Sequence, residues 1–586
     1  MRGIFSTLAI VWRIASPYFY SEDRWPGRIL LAAIVAIELS IVGINVLLNS
    51  WNNTFYNALQ DKNWDAFIYQ LGYFCVLATI YILLAVYQLY LNQWLQIRWR
   101  RWLTQSYLDH WLTGANHYRM QLLGDAADNP DQRIAEDVKQ FIDAGTTGIG
   151  ILPIGLGLLN SVVTLGSFAI ILWNLSGTAP LELFGTTWLI PGYLFWAALV
   201  YAVIGTALTH LVGRALTALN FQQQRYEADF RFNLVRVREN SEQIALLDGE
   251  QAERDRLLMR FGNVVANWLA IMSRQKKLTF LTAGYSQVSS VFPFVVVSPA
   301  YFAGTIQLGG LMQTASAFGS VQGALSFFIS VYRQLAEWRA VVERLAGFDE
   351  SIAAAKAAAN TPPVIALEPS AAGAVSFENL AVQLPNGTPL VNASRISIKL
   401  GDRVLVSGPS GAGKSTLFRA LAGVWPFGQG TITVPKGARV MILPQRPYFP
   451  IAPLAAAVAY PAEPGTFEND KVAELIAAVG LPGLADRIEE EAHWNRMLSL
   501  GEQQRLGIAR ALLYAPDYLF LDEATASLDE PAEAALYRLL EQRLAKATVV
   551  SIGHRATLAA FHRRRLAFNR QGDHFALQEA NLAPAS

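Results

Sequence analysis

Six stretches of this chain are too long and too apolar to be core helices of an ordinary soluble domain, and they restrict what the rest can be. They run roughly over residues 29–49, 67–91, 148–173, 183–212, 280–305 and 308–331. A hydrocarbon layer about 30 Å thick is crossed by ~20 apolar helical residues. Within it every backbone N–H must find its partner inside the protein, which favours helices. The sixth stretch is the least apolar, being rich in Gly, Ser, Ala and Gln, as a helix lining a polar path or packed closely on a neighbour would be. Over the whole chain, hydrophobic residues make up 52% and charged residues 16%, with a mean hydropathy of +0.26. That is little charge for a soluble protein. At 586 residues the chain also exceeds a single core, so two or more domains are expected.

Basic residues orient the spans. Arg13, Arg24 and Arg28 precede the first; Arg98, Arg100 and Arg101 follow the second; Arg214 and Arg225 follow the fourth. Lys276 and Lys277 precede the fifth, and Arg333 and Arg339 follow the sixth, while the connections at 174–181 and 306–307 have no Lys or Arg. Both termini and the two long connections, 92–147 and 213–279, are therefore expected in the cytoplasm. Each long connection has a polar break, at 124–133 and 247–250, suited to presenting a short helix to a cytoplasmic partner. A solvated helical hairpin fits the same pattern. The first twenty residues, with Arg2 and Arg13 among aromatics, read as a retained interfacial helix. Glu38 is a carboxylate in mid-span, where charge is costly; it serves either substrate or proton handling or a hydrogen-bonded structural role. The one cysteine, Cys75, excludes an intramolecular disulfide. A net charge of +1 gives no footprint for nucleic acid.

After an Ala- and Pro-rich stretch at 351–373, read as a linker, the pattern changes to short β-branched strands alternating with helices, a mixed α/β domain. Its strongest feature is the run Gly408, Pro409, Ser410, Gly411, Ala412, Gly413, Lys414, Ser415, Thr416. An apolar strand enters it and a helical run leaves it, which is the context a P-loop needs. Glycines let backbone N–H groups turn inward around phosphate oxygens, and the helix N-terminus adds partial positive charge. Lys414 is placed to reach the β- and γ-phosphates and Ser415 to ligate Mg²⁺. Further on, Tyr518-Leu-Phe-Leu-Asp-Glu523 is an apolar strand ending in two carboxylates. Asp522 is the second Mg²⁺ candidate and Glu523 the group that polarises the attacking water.

Gln445 after the strand at 440–443, Leu498-Ser-Leu-Gly-Glu-Gln-Gln-Arg505, Ala526-Ser-Leu-Asp529 and His554 complete a set in fixed order. They resemble the Q-loop, signature, D-loop and switch histidine of ATP-binding-cassette (ABC) transporters. The resemblance implies a multi-domain chain: an all-α six-helix transmembrane domain of exporter type over 1–350, the linker, and a P-loop α/β ATP-binding cassette over 374–586. In that family two ATP molecules lie between two cassettes, so a chain with one cassette pairs, here with a second copy of itself. Ser499 and Gly501 would then contact the γ-phosphate from the opposite subunit, Gln445 would complete the Mg²⁺ shell, and His554 would contact the γ-phosphate. The sequence departs from the pattern at Leu500 and Glu502, which puts the rate of turnover in doubt. The slot of the adenine-stacking aromatic holds Leu384, leaving an aliphatic surface for the base.

Asn129-Pro-Asp-Gln-Arg-Ile-Ala-Glu-Asp137, Trp51-Asn-Asn-Thr-Phe-Tyr-Asn-Ala-Leu59 and Glu242-Gln-Ile-Ala-Leu246 are similar to the SbmA/BacA-like bacterial transporters, which are related to the peroxisomal fatty-acyl-CoA transporters. This implies ATP-driven import, across a bacterial inner membrane, of peptides or other large hydrophilic molecules such as cobalamin. A lipid or acyl-CoA transporter and an ATP-gated or regulatory ABC protein are the rival expectations.

Overall fold

The computed structural model describes residues 2–124, 129–143, 149–178, 181–183, 186–188 and 190–581. The chain divides into two compact units, one of residues 1–106 with 131–346, the other of residues 107–130 with 347–586. The expected boundaries are corrected on two counts. A segment at 107–130 belongs with the cassette, and the supposed linker is largely regular structure. A helix continues to Asn360 and a strand starts at Ala366, because the alanines at 353–359 favour helix and only the prolines at 362–363 stop it.

The first unit is helical apart from a two-stranded antiparallel hairpin, Leu181–Leu183 with Thr186–Trp188. The fourth expected span, 183–212, therefore opens in that hairpin and is helical only from Tyr193, the β-branched and aromatic run at 186–188 favouring a strand. The helices of the unit are α1 (Arg2–Ala15), α2 (Arg24–Gln60), α3 (Trp64–Leu112), which ends in the second unit, α5 (Ile151–Thr178), α6 (Tyr193–Glu239), α7 (Ser241–Leu246), α8 (Glu250–Phe302) and α9 (Leu308–Asn360). Between α3 and α5, α4 (Asn116–Leu122) belongs to the second unit. Among the described residues α2, α3, α5, α6 and α8 are long and apolar enough to cross a membrane. The sixth expected span lies in α9, which is helical as expected but not among those five. With 53 residues in α8, a helix rising ~1.5 Å per residue reaches far beyond the hydrocarbon layer, as the charged connections require.

Side chains of α5, α6, α8 and α9 form the core of this unit around Phe168, Leu172, Val297 and Phe318. Tyr201 and Tyr285 stack at 4.5 Å, and the Tyr201 hydroxyl donates to the Tyr285 carbonyl at 2.6 Å. Two polar seams join the helices. Glu38, buried, accepts from the Asn160 amide on α5 at 2.5 Å. The amides on one face of α2 form a ladder against the start of α9. Asn49 Nδ2 donates to the Gln313 carbonyl (2.9 Å), Asn53 Nδ2 to Gln313 Oε1 (2.7 Å), and Asn57 Nδ2 to Asn53 Oδ1 (2.7 Å). Gly309 N–H donates to Asn57 Oδ1 at 2.8 Å. A Cβ on Gly309 would stand 1.9 Å from the Asn53 carbonyl oxygen, so only glycine permits this approach.

Both polar breaks carry a short helix just before them, α4 and α7; residues 125–128 of the first break lie outside the described residues. In the second unit α4 is docked: Leu122 packs on the cassette core and Arg119 Nη2 donates to the Gly423 carbonyl at 3.4 Å. In the first unit Leu246 and Leu247, at the end of α7, are 77% and 81% exposed.

The cassette is built on a ten-stranded mixed sheet. Its strands are β1 (Ala366–Ser370), β2 (Ala374–Gln383), β3 (Pro389–Lys399), β4 (Arg403–Ser407), β5 (Gly428–Pro435), β6 (Val440–Leu443), β7 (Tyr518–Asp522), β8 (Thr548–Ile552), β9 (Arg564–Gln571) and β10 (His574–Ala580). They lie in the order β1-β5-β2-β3-β10-β9-β4-β8-β7-β6. The stretch β4-β8-β7-β6 is parallel, with Val406 level with Ile552 and Ile552 level with Asp522. Of these, β4, β7 and β8 are almost uniformly buried, as expected of parallel strands covered on both faces, whereas β6, at the edge, is half-buried along most of its length. The register brings the C-terminal ends of these strands to one edge, where ligands of open α/β sheets bind.

Candidate active site

Each parallel strand ends in a catalytic loop. β4 leads into the P-loop, whose Gly411 and Gly413 adopt left-handed φ of +78° and +87°. Gly413 precedes α10 (Lys414–Leu421). A Cβ there would meet Val391 Cγ2 at 2.6 Å and Leu390 Cγ at 2.8 Å, so glycine is required by conformation and by space. Lys414 is buried, and its Nζ donates to the Gly408 and Pro409 carbonyls at 2.9 Å each. That arrangement folds the cation inside the loop. Burial lowers the Lys414 pKa, opposed by the nearby carboxylates of Glu523 and Asp522. Pro409, Ser410, Ala412 and Thr416 complete the turn, with Ala412 fully buried.

β7 delivers the two carboxylates. Ser415 Oγ donates to Asp522 Oδ1 at 2.8 Å, and burial raises the Asp522 pKa against that hydrogen bond. A hydroxyl and a carboxylate held together at the mouth of a phosphate-binding loop are the hard oxygen donors that Mg²⁺ takes, so these residues fit the ion. Glu523 lies just beyond the strand with φ +51°. Its Oε1 is 3.1 Å from His554 Nε2 and its Oε2 accepts from Gln445 Nε2 at 3.3 Å. The structure thus gathers Lys414, Ser415, Asp522, Glu523, Gln445 and His554 at one sheet edge.

Ser499 heads α11 (Leu500–Tyr514) as its N-cap. Its bonds stay in its own turn: the Ser499 N–H and Oγ donate to Glu502 Oε2 at 2.9 and 2.8 Å, and the Glu502 N–H donates back to Ser499 Oγ at 3.4 Å. The departure at Glu502 is a capping box, worth about 1 kcal/mol to the helix. Gly501 packs beneath Leu528, where a Cβ would come within 3.2 Å. Leu384 is half-buried in the β2–β3 hairpin, its N–H donating to the Thr388 carbonyl at 2.9 Å. Leu390, which sequence reasoning passed over, packs against Gly413 itself. Also unforeseen were Gln504 and Arg555. The signal was available for Gln504 as a polar residue on the apolar side of a helix, but no motif gave it a partner.

A helical region with membrane-crossing helices, followed by this phosphate-binding edge, defines a membrane-embedded P-loop ATPase. The sequence matches the family described as ABC transporter transmembrane region 2 over residues 14–302 and the family ABC transporter over residues 391–526. It is 34% identical to the inner membrane ABC transporter ATP-binding protein YddA of Escherichia coli, covering 92% of this chain and 94% of that one. The lysosomal cobalamin transporter ABCD4 of Mus musculus is 27% identical, over 94% of this chain and 92% of its own. A bacterial Atm1-family ABC exporter with ATP bound shares the fold, with a TM-score of 0.70 at 18% identity over 95% of each chain. The chain belongs to the ABC transporters. It is a half-transporter, one membrane region fused to one ATPase domain, and couples ATP to membrane transport.

Proposed function

We propose that the chain works as a homodimer that imports peptides or other large hydrophilic molecules, cobalamin among them, across a bacterial inner membrane, with both termini and the cassette in the cytoplasm. The energy-coupling part of this reading is carried by one observation: Glu523, Gln445 and His554 meet on the edge where the P-loop and Asp522 lie. In the proposed cycle the P-loop amides and Lys414 hold the β- and γ-phosphates, and Leu384 with Leu390 offers the base an aliphatic surface. Glu523 orients and polarises the water that attacks the γ-phosphorus. His554 keeps Glu523 aligned and contacts the γ-phosphate. Ser415, Asp522 and Gln445 would hold Mg²⁺, which neutralises charge on the phosphoryl oxygens. Ser499 and Gly501 present the N-terminus of α11 to the γ-phosphate bound by the second subunit.

Dimerisation is supported by the two connecting helices. α4 is docked on the cassette of its own chain, whereas Leu246 and Leu247 beside α7 are exposed and suit the cassette of a second copy. Closure around two ATP molecules would then shift the membrane helices from one access state to the other, and hydrolysis would reset them. The hydrophilic substrate class is supported by the amide ladder of α2 and α9 and by the likeness to a cobalamin transporter.

A second reading, an amphipathic lipid or acyl-CoA substrate, is favoured by a different observation. A cavity of about 500 Å³, lined by Val11, Trp12, Phe19, Val35, Trp99 and Leu156, is almost wholly apolar and would take an acyl chain. The test is accumulation of a labelled cationic peptide, and separately of labelled cobalamin, in cells expressing the protein, alongside acyl-CoA stimulation of the purified ATPase. Accumulation of either hydrophilic probe is the expected result. Accumulation of neither, with stimulation by acyl-CoA alone, would overturn the first reading in favour of the second.

A further inference from the structure

One buried amide touches three of the loops that make up the ATP site. Gln504, the fifth residue of α11, is 1% exposed. Its Nε2 donates to the Gln445 carbonyl at 3.0 Å and to the Glu523 carbonyl at 3.4 Å, and its Oε1 accepts from the Ser527 N–H at 3.0 Å. Both amide protons are used, so the side chain has a single orientation in this setting.

The groups it holds need holding. Glu523 is a non-glycine residue at φ +51°, a left-handed conformation that is strained for an L side chain. It persists only where neighbours fix it. Gln504 grips its carbonyl, and the Glu523 N–H donates to the Ile552 carbonyl at 3.3 Å. The turn at 526–528 is gripped from its other side by Arg555. Nη1 of Arg555 donates to the Leu528 carbonyl at 2.6 Å and Nη2 to the Ala526 carbonyl at 3.2 Å. Arg555 is itself paired with buried Glu533 at 3.4 Å, and Glu533 accepts from Thr525 Oγ1 at 2.6 Å.

In the proposed dimer the head of α11 meets the ATP of the second subunit, while Gln445 and Glu523 serve the chain's own ATP. Gln504 stands on α11 about 1.4 turns after Ser499. We propose that Gln504 is a positioning residue that couples the two ATP sites, passing the engagement of Ser499 to the backbone of Glu523 and to the turn at Ser527. This rests on the homodimer reading given above. A displacement of α11 by the partner's nucleotide moves the amide, and through it the carboxylate that orients water in the other site. Arg555 keeps the turn from yielding, so the movement reaches Glu523.

The experiment uses the full-length protein in nanodiscs. Gln504→Met keeps the volume and removes all three hydrogen bonds. Gln504→Asn keeps the amide and withdraws it by one methylene from its three partners. The readouts are kcat, KM and the Hill coefficient for ATP hydrolysis, the affinity for a fluorescent ATP analogue, and the melting temperature. For Gln504→Met, kcat falls by about tenfold or more while KM changes by less than about twofold, and the Hill coefficient drops towards about 1. For Gln504→Asn, kcat falls several-fold with KM changed by less than about twofold, at about the scale one lost hydrogen bond supplies. Wild-type kcat and Hill coefficient in Gln504→Met overturn the proposal, as does a loss of kcat matched by an equal loss of nucleotide affinity. If Gln504→Met does not fold, kcat and the Hill coefficient of Gln504→Asn decide, and wild-type values of both overturn the coupling. Glu523→Gln is run alongside. Wild-type hydrolysis by that variant overturns the reading of the site instead, which separates the two failures.

Discussion

At the edge of the cassette, polar side chains bond to partners fixed by motif: Ser415 to Asp522, Gln445 and His554 to Glu523. In the membrane unit they bond along helix seams that no motif marks: Asn53 to Gln313, Asn160 to Glu38. The difference follows from what each region must do. Phosphate oxygens and an attacking water demand particular donors at particular distances, so the residue types are nearly forced. A helix seam can be held by many amide or small-residue arrangements of similar energy, so its sequence says little about what passes beside it.

The sharpest way to break this comparison is at a residue the phosphate loop cannot replace. Gly413→Ala places a Cβ within 2.6–2.8 Å of Val391 and Leu390 at φ +87°. ATP affinity is expected to fall by about 100-fold or more, equivalent to roughly 3 kcal/mol, in an equilibrium binding titration. Unchanged affinity would mean that the loop is not the cradle.

A smaller effect probes the support beneath the edge. His562 is buried, with its Nδ1 2.7 Å from the Leu558 carbonyl and its Nε2 2.9 Å from Ser551 Oγ. A carbonyl only accepts, so Nδ1 carries the proton and Nε2 accepts from the serine. Burial lowers the pKa from 6.5 to about 4. The folded value is below the unfolded one, so the stability from neutral His562 is complete above about pH 6.5 and lost as pH falls towards 4. The loss is about 2 kcal/mol by pH 5 and about 3 kcal/mol by pH 4. In thermal melts His562→Gln should flatten this acid limb. An unchanged slope between pH 7 and pH 5 would reject the assignment.

The smallest effect is expected in the membrane unit. Asn53→Leu removes two hydrogen bonds of the ladder, the one it donates to Gln313 on α9 and the one it accepts from Asn57, and a hydrogen bond between membrane helices is worth about 0.6 kcal/mol and at most about 1.7. Stability should fall by about 1 kcal/mol with ATP affinity unchanged. A loss comparable to that of Gly413→Ala would show that the seam is as tightly specified as the phosphate loop, and the comparison would fail.

The legibility of the sequence follows the same division. The P-loop, the carboxylate pair and the other cassette motifs were readable because each combines a residue type with a neighbouring strand or helix. That the apolar stretches are mainly helical was readable from length and composition. The hairpin in which the fourth of them opens was not, because its second strand falls within the same apolar run as the helix that follows. The helix over 351–360 and the edge strand at 366–370 were mistaken for linker because alanine and proline composition was weighed above local helix propensity. Gln504 and Arg555 were missed because their partners are mainly backbone carbonyls and one backbone N–H, which leave no trace in side-chain spacing. The side-chain partner of Arg555, Glu533, lies on a helix 22 residues away in sequence. Glu38 was singled out as a mid-span carboxylate with either a substrate or a hydrogen-bonded structural role; its burial and its Asn160 partner, which lies in another helix, are visible only in the fold.

The central claim is that hydrolysis organised by Glu523 powers transport. It is tested most directly by following accumulation of the labelled peptide and cobalamin in cells carrying wild type or Glu523→Gln at matched membrane levels. The account predicts accumulation with wild type and none with Glu523→Gln. Equal accumulation in both would contradict it, because the carboxylate at the sheet edge would then have no part in driving the substrate across.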